Sequence, residues 1–382
     1  MVTRVPVNPA LFTWACERSG RDIAALNERF PKLEEWQRQE AQPTFKQLES
    51  FAKATYTPIG FFFLQNPPEE SVPIPDFRTV GNELIERPTA DVLDTIYLCQ
   101  TRQVWYRDYA RASGETPLAF IGSLSISADV VEAASAIRSA LGFDLEARRR
   151  VRTWEDALRQ FRQQAESVGI LVMTSGIVGS NTHRPLDPDM FRGFALSDDL
   201  APLVFINGAD TKSAQMFTLS HELAHLWLGE SALTDATPRF TSNHHIERWC
   251  NRVAAELLVP LAVFQSEYRR EAPLEQEMKR LARVYKVSTL VILRRMHDAR
   301  GLTREQFWNA YDAELERLER LRPAGDGGDF YKTTIARTGE RFAAAIVVST
   351  LEGHTLFREA YRLLGTAKRP VFDTLSEQLG VA

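Results

Sequence analysis

The chain has 382 residues, enough for two or three domains, and its 44% apolar and 25% charged residues are ordinary for a globular protein, which argues against a disordered chain. A net charge of −4 gives no general attraction to nucleic acid, so any DNA contact has to come from a local basic face. Cys16, Cys99 and Cys250 are too scattered for a disulfide framework or a Cys-based zinc site; with no leader-like start and no apolar run of about 18 residues, the expected location is the cytoplasm, with no membrane partner.

Residues 8–64 read as a small all-helical unit. Pro9 opens a first amphipathic helix with Leu11, Trp14 and Ala15 turned inward and an end near Gly20. Asp22 starts a second helix carrying Ile23, Leu26 and Phe30. Leu33 and Trp36 mark a third, and Pro43-Thr44 opens a fourth carrying Phe45, Leu48, Phe51 and Ala52. Ile59 to Leu64, IGFFFL, is too apolar for an exposed loop and is expected to pack back on this unit. The order of short helices, with Trp36, Glu40, Pro43 and Thr44 in the pattern W-x-x-x-E-x-x-P-T, resembles the helix-turn-helix domain of XRE-type repressors. A departure from that family bears on function: the interval from Gly20 to Trp36 is about four residues shorter, in the region whose helix reads base edges. Glu34 and Glu35 stand there, where phosphates repel them. Protein contact or dimerisation is therefore expected ahead of sequence-specific DNA binding.

Gln65 to Val80 is proline-rich, and proline favours extended, stiff backbone, so the segment reads as a spacer. The alternative is that Ile74 and Phe77 lay it in a groove as a substrate-like strand. Helical spacing with charged faces recurs at Pro88 to Arg111, Ser127 to Gly142 and Thr153 to Val168. Gly169 to Val178, Met190 to Ala195 and Ala201 to Ile206 read as strands. An edge strand beside the following helix would let an extended peptide pair its backbone with the protein.

That helix, Thr218 to Glu230, reads TLSHELAHLWLGE and contains His221, Glu222 and His225 as H-E-x-x-H. Positions i and i+4 share one helical face, so both imidazoles can reach a single Zn²⁺. Glu222 then stands beside the open coordination position, where it can take a proton from water and later give it to a leaving amine. A core helix with satisfied imidazoles is the bland reading. Met216, Phe217, Leu219, Leu223, Leu226 and Trp227 make the helix buried on most sides, and a metal supplies partners for two His and a Glu together. Leu228 to His244, with Gly229, Ser231, Thr234, Asp235, Thr237, Pro238 and Ser242, reads as a polar, mobile loop able to gate the site.

A catalytic zinc usually has three protein ligands. Ile246 to Pro260, IERWCNRVAAELLVP, reads as a second buried helix ended by proline. Glu247 and Asn251 share one of its faces, and Glu256 lies half a circle away from Glu247, so only one glutamate can face the metal. Glu247 is chosen, because Asn251 one turn on can hydrogen-bond a ligand, while Glu256 is read as a solvated or structurally paired carboxylate. His244 and His245 stand at the start of this helix, nearer a rim than a ligand position.

The stretch FTLSHELAHLWLG, followed by Glu247 and Asn251 as E-x-x-x-N and then by AAELLVP, resembles the ImmA/IrrE family of zinc metallopeptidases. With FRGFALSDDLAPLVFIN before it, the resemblance runs from Gly169 to Pro260. It implies a zincin-like peptidase whose known members cut repressor-type regulators, with His221, His225 and Glu247 as zinc ligands and Glu222 as the catalytic glutamate.

Beyond Pro260, helices are expected at Leu261 to Arg270 and Leu274 to Val284. Leu281 to His297, with Val287-Ser288 at a turn, has helix-turn-helix character, read first as a helical pair packed on the peptidase domain and second as a DNA contact through Arg294 and Arg295. Leu302 to Leu321 is a charged helix, Pro323 to Gly328 a break, Arg341 to Ser349 a strand or buried helix, and Thr355 to Leu364 and Pro370 to Leu379 helices.

The expected fold class is α+β and mostly helical, with a zincin-like core. The divisions are a degenerate helix-turn-helix at 1–68, a linker and helical connector at 69–150, a metallopeptidase domain at 151–272, a helical part at 273–322 and a C-terminal region without assigned function at 323–382. The expected function is a zinc-dependent endopeptidase acting on a regulatory protein, with His183, His244, His245 and Arg192 as candidates for oxyanion stabilisation. The alternative is an antitoxin or transcription regulator in which the zinc site is structural or rarely used. Expected partners are a protein substrate such as a repressor or antitoxin, with a toxin encoded nearby, DNA and a second copy of the chain as further candidates.

Overall fold

The chain divides into two compact units, Met1–Pro73 with Ile85–Tyr97 and Ile74–Leu84 with Leu98–Ala382. This computed structural model describes residues 3–76, 79–80, 83–84, 88–234, 245–320 and 330–381.

Local capping sets the helices of the first unit. α1 (Pro9–Ser19) starts behind Asn8, whose side chain accepts from Ala10 N, and stops at Gly20 in the left-handed region, φ 60°. Asp22 caps α2 (Ile23–Arg29); α3 (Leu33–Gln37) is only five residues long. A capping box between Thr44 and Gln47 opens α4 (Phe45–Ala54), and a 3₁₀ turn, Ile59–Phe63, follows. Phe51 is the centre of the core, with Phe30 at 5.3 Å, Phe12 at 5.5 Å and Phe62 at 5.7 Å between ring centroids. The inward face of α1 is Leu11, Phe12, Ala15 and Cys16, while Trp14 is half-buried against Phe61. Ile23, Phe45 and Phe63 face outward, so Phe62 is the residue of IGFFFL that fills the core.

In the second unit β1 (Thr79–Val80) and β2 (Glu83–Leu84) form a short antiparallel pair. The helix α5 (Ala90–Ala112) crosses the unit boundary at Tyr97; α6 (Val130–Leu141), α7 (Leu145–Arg150) and α8 (Trp154–Ser167) follow. A four-stranded sheet comes next, from β3 (Leu171–Ser175), β4 (Gly193–Leu196), β5 (Leu203–Asn207) and β6 (Ala232–Thr234), in the order β3-β5-β4-β6. β3 and β5 are parallel and the other pairs antiparallel. α9 (Lys212–Leu228) and α10 (His245–Leu258) flank β6 in sequence. The remaining helices are α11 (Leu261–Glu267), α12 (Leu274–Tyr285), α13 (Thr289–Asp298), α14 (Arg304–Arg320), α15 (Phe330–Thr338), α16 (Glu340–Leu351), α17 (Phe357–Leu364) and α18 (Arg369–Gln378). The result is a mostly helical α+β fold, and no helix among the described residues is long and apolar enough to cross a membrane.

One expectation changes. Ala232–Thr234, taken from sequence as part of a polar loop, is a buried strand paired with β4. Its polar neighbours are satisfied inside the fold, Ser231 Oγ by Ser197 N at 2.9 Å and Thr234 by a carboxylate described below, so polarity there did not mean solvent. The rest of that loop, 235–244, and the break at 323–328 lie outside the described residues. The α12–α13 pair turns through Lys286, φ 55°, and α13 buries Leu290, Val291, Ile292, Leu293 and Met296. Arg295 is spent on Glu256 at 2.9 Å and Arg294 on Asp298 at 2.8 Å, so this helix packs within the unit. The segment at Arg341 to Ser349 is helix, in α16. The sequence divisions 151–272, 273–322 and 323–382 all fall inside the second unit.

Glu166, at the end of α8, accepts the N–H of Arg341 at 3.3 Å. Burial raises its pKa from 4.5 to about 7, against the pull of Arg162. The folded chain keeps this proton where the unfolded chain has lost it, so its stabilising share is whole below pH 4.5 and is lost as pH rises through 7. Urea unfolding midpoints across this window should fall with pH less in Glu166→Gln than in the parent; equal slopes would show that Glu166 is not the group titrating.

Candidate metal centre

The centre is built on α9, which runs from the Thr211 cap to Gly229, φ 75°. Thirteen of its residues are buried, Gln215 through Trp227, because β4 and β5 cover one side and α10 another. His221 and His225, one turn apart, face α10, and Glu222, a further 100° around the axis, faces the sheet.

α10 supplies the third group. His221 Nε2 lies 3.1 Å from His225 Nε2 and 3.2 Å from Glu247 Oε2, and His225 Nε2 lies 3.0 Å from Glu247 Oε1. Donor atoms about 2.0 Å from one tetrahedral zinc would stand ~3.3 Å apart, so the three separations fit the edges of one coordination polyhedron. His221, His225 and Glu247 are also a set of described residues able to hold a metal ion. Burial acts to raise the Glu247 carboxyl, yet the two imidazoles outweigh it and hold the group well below the usual range.

Glu222 is differently placed. Its Oε1 accepts a short hydrogen bond from Thr234 Oγ1 on β6, and its Oε2 has no hydrogen-bond partner among the described residues. Burial pushes its pKa up, with the imidazoles of His221 and His225 and the Thr234 hydroxyl pulling it down by less. Two buried carboxylates on one centre are thus driven apart, Glu247 toward the permanently charged form and Glu222 toward a proton-carrying one.

Asn251 is buried one turn beyond Glu247, on the same face of α10, and its Oδ1 has no hydrogen-bond partner among the described residues. Glu256 is a structural carboxylate, paired with Arg295 and accepting from Leu261 N at 3.2 Å. Of the oxyanion candidates, Arg192 is held by Asp210 at 2.7 Å, His245 is exposed with Nδ1 2.8 Å from Arg248, and His183 is exposed on a turn. His244 lies outside the described residues.

With this geometry in place, the comparisons with known proteins fall on the same region. Residues 165–297 match the IrrE N-terminal-like domain, Peptidase_M78. The match spans both helices of the centre, agrees with the ImmA/IrrE resemblance and points to metallopeptidase-type chemistry. Residues 338–378 match DUF8813, a domain of unknown function, and neither match covers the N-terminal unit. No curated protein matches the chain.

Thr234 and Gly193 are the site residues that sequence reasoning did not single out. A Cβ at Gly193 would stand 2.5 Å from Thr218 Cγ2, 2.8 Å from the Phe205 carbonyl oxygen and 3.2 Å from Glu222 Oε1. The Phe205 oxygen is part of the β4–β5 ladder and cannot yield. The glycine before Phe194 in FRGFAL was the available signal, since an isolated glycine in a strand often marks a close approach. Gly193→Ala should cost about 1–3 kcal/mol by overpacking. Its thermal unfolding should be lowered while Gly179→Ala, at a turn with φ 55°, serves as a strained control far from the carboxylate in sequence; an unchanged Gly193→Ala would mean that β4 has room to shift.

Proposed function

We propose that the chain is a zinc-dependent endopeptidase that cuts a regulatory, repressor-type protein. The observation that carries this is the meeting of His221 Nε2, His225 Nε2 and the Glu247 carboxylate at one point, with the Glu222 carboxyl buried beside them. A zinc ion held by those three side chains would supply a Lewis acid for the scissile carbonyl and a water acidified to a pKa of ~7.

The rest is done by residues of this chain. Thr234 fixes Oε1 of Glu222, which leaves Oε2 as the atom that exchanges protons. Oε2 takes the proton of the attacking water and delivers it to the amide nitrogen as the C–N bond breaks, so Glu222 ends the cycle as it began. A raised pKa suits both halves of that task, because a carboxyl far below neutral would take the proton and hold it poorly for the amine. Glu247, as the third side chain of the set, would hold the ion as an anionic carboxylate ligand beside two neutral imidazoles.

One observation favours the second reading, in which the metal is structural and the protein acts by binding a partner. His221, Glu222 and His225 are 0% exposed and Glu247 3%, so the centre as it stands is closed to a polypeptide.

The two readings separate on incubation of the zinc-loaded protein with a candidate repressor, followed by mass spectrometry of the products. Glu222→Gln should keep stoichiometric zinc and lose about 10²- to 10⁴-fold in cleavage rate, whereas His225→Ala should lose both. Cleavage that survives Glu222→Gln, or survives chelation, would falsify the peptidase assignment; an intact, tightly bound partner would favour the second reading.

A further inference from the structure

β6 has two edges, and both carry backbone partners. One pairs with β4 through Ala232, Leu233 and Thr234. On the other, Leu233 N donates to the Pro75 carbonyl oxygen at 2.9 Å, and Asp76 forms a parallel bridge to Leu233. Pro75 has no N–H, so it can offer this ladder its carbonyl alone. Ile74, just before it, is buried, at 9% exposed.

These residues come from the proline-rich stretch that reads in sequence as a spacer. The chain leaves the first unit at Pro73, joins the second through Ile74–Leu84, and returns to the first at Ile85. A bridge to the sheet edge is thus contributed by a segment whose chain runs on at both ends into the other unit. Its place on the sheet matters because adjacent residues of β6 serve two different groups. Leu233 holds the segment through its backbone, and Thr234 holds the Glu222 carboxylate through its hydroxyl. The carboxylate and both imidazoles have no accessible surface. A substrate strand can be received on this sheet next to Glu222 only if something yields, and the described element lying on the free edge of β6 is Ile74–Asp76.

We propose that Ile74–Asp76 is a built-in occupant of the edge that receives the substrate, so that the protein as folded is latent and is opened by an extended segment that displaces it. This rests on the peptidase reading of the site. Among the described residues the occupant is held by the Leu233–Pro75 backbone bond, the Asp76–Leu233 bridge and the buried side chain of Ile74, a shorter pairing than the three-residue ladder that ties β6 to β4. Tethering compensates for the shorter pairing, since a linked segment is presented at an effective concentration on the order of millimolar. An intruding strand wins by offering more: an N–H where Pro75 has none, and a longer ladder. The partner so defined is an extended, unpaired segment of a protein, recognised mainly through its backbone.

The test uses the full-length, zinc-loaded protein with three readouts: amide hydrogen exchange over residues 228–234, the rate of zinc loss to EDTA, and cleavage of a candidate repressor. Ile74→Asp should speed exchange at Leu233 and zinc loss by about tenfold or more, Ile74→Val should leave both as in the parent, and a synthetic peptide of residues 70–80 added in trans should slow them again in Ile74→Asp. A second variant, with a sequence-specific protease site inserted between Ser71 and Val72 and then cut, keeps every native side chain and should loosen the strand in the same way if Ile74→Asp fails to fold. Faster zinc loss and exchange without any cleavage would uphold Ile74–Asp76 as the displaceable occupant of the edge while sinking the peptidase reading. Exchange and zinc loss equal to the parent in both the cut protein and Ile74→Asp would overturn the proposal and leave Ile74–Asp76 a structural strand. Exchange at Leu233 reports on the strand even in a preparation that holds no zinc.

Discussion

The structure depends on how four ionisable side chains are kept inside an apolar layer between two helices and a sheet. Isolated buried imidazoles and carboxylates are costly, and α9 places three of them on a helix whose other residues around the motif are fully buried. The cost is offset by bringing donors and acceptors to within 3.0 to 3.2 Å of each other across the α9–α10 contact. That requirement fixes the register of the two helices, because a slip of one residue on α10 would replace Glu247 by Ile246 or Arg248 at the meeting point. A cluster with mutual separations that fit one tetrahedral ion is then both a packing solution and a chemical one.

The sheet tunes the second carboxylate. β4 approaches α9 so closely at Gly193 that no side chain fits, and β6 brings the Thr234 hydroxyl onto Glu222. The same helix thus carries one carboxyl-facing side toward the sheet and one imidazole face toward α10, and the two environments split the carboxyl pKa values in opposite directions. The α9 C-terminus is held by a different close approach: a Cβ at Gly229 would stand 3.0 Å from Gly122 Cα, and Gly122 N donates to Leu226 O at 3.1 Å. Backbone proximity at both Gly193 and Gly229 leaves little freedom in where α9 lies.

What could be read from sequence follows from how local its causes are. H-E-x-x-H is a one-turn relation on a single helix, and the opposition of Glu247 and Glu256 is a property of helical period, so both were legible; the structure pairs Glu256 with Arg295 and turns Glu247 to the imidazoles. Helix starts at Asn8, Asp22 and Thr44 were legible for the same reason, because caps act within three residues. β6 was not, since Ser231 before it and Thr234 at its end are polar for partners that lie after β4 and on α9. Nor was the choice between Phe12 and Trp14, which depends on the aromatic cluster around Phe51. The proline-rich segment shows the limit best: its extended backbone was legible, but whether it spans empty space or joins a sheet is decided by the free edge of Leu233.

The C-terminal residues, which carry no chemistry of their own in sequence, are bound into the second unit by buried guanidiniums. Arg102 on α5, fully buried, donates to the carbonyl oxygens of Leu363 at 3.0 Å and Arg337 at 3.1 Å, at the ends of α17 and α15. Arg341 at the start of α16 reaches Tyr106 at 2.7 Å and Glu115 at 3.0 Å, and Gly339, φ 82°, lets the backbone pass so close to β3 that a Cβ would stand 3.0 Å from the Val172 carbonyl oxygen. These bonds satisfy helix-end carbonyls that would otherwise be orphaned in the interior. The tail therefore closes the β3 side of the sheet in the way that Ile74–Asp76 closes the β6 side. A sheet of four short strands has two edges to manage, and this chain meets each with a segment from outside the matched peptidase region, one through α15 and α16 and the other through the pairing of Pro75 and Asp76 with Leu233. The β6 edge is the one closed by a proline, which leaves a ladder position that another strand could fill with an N–H.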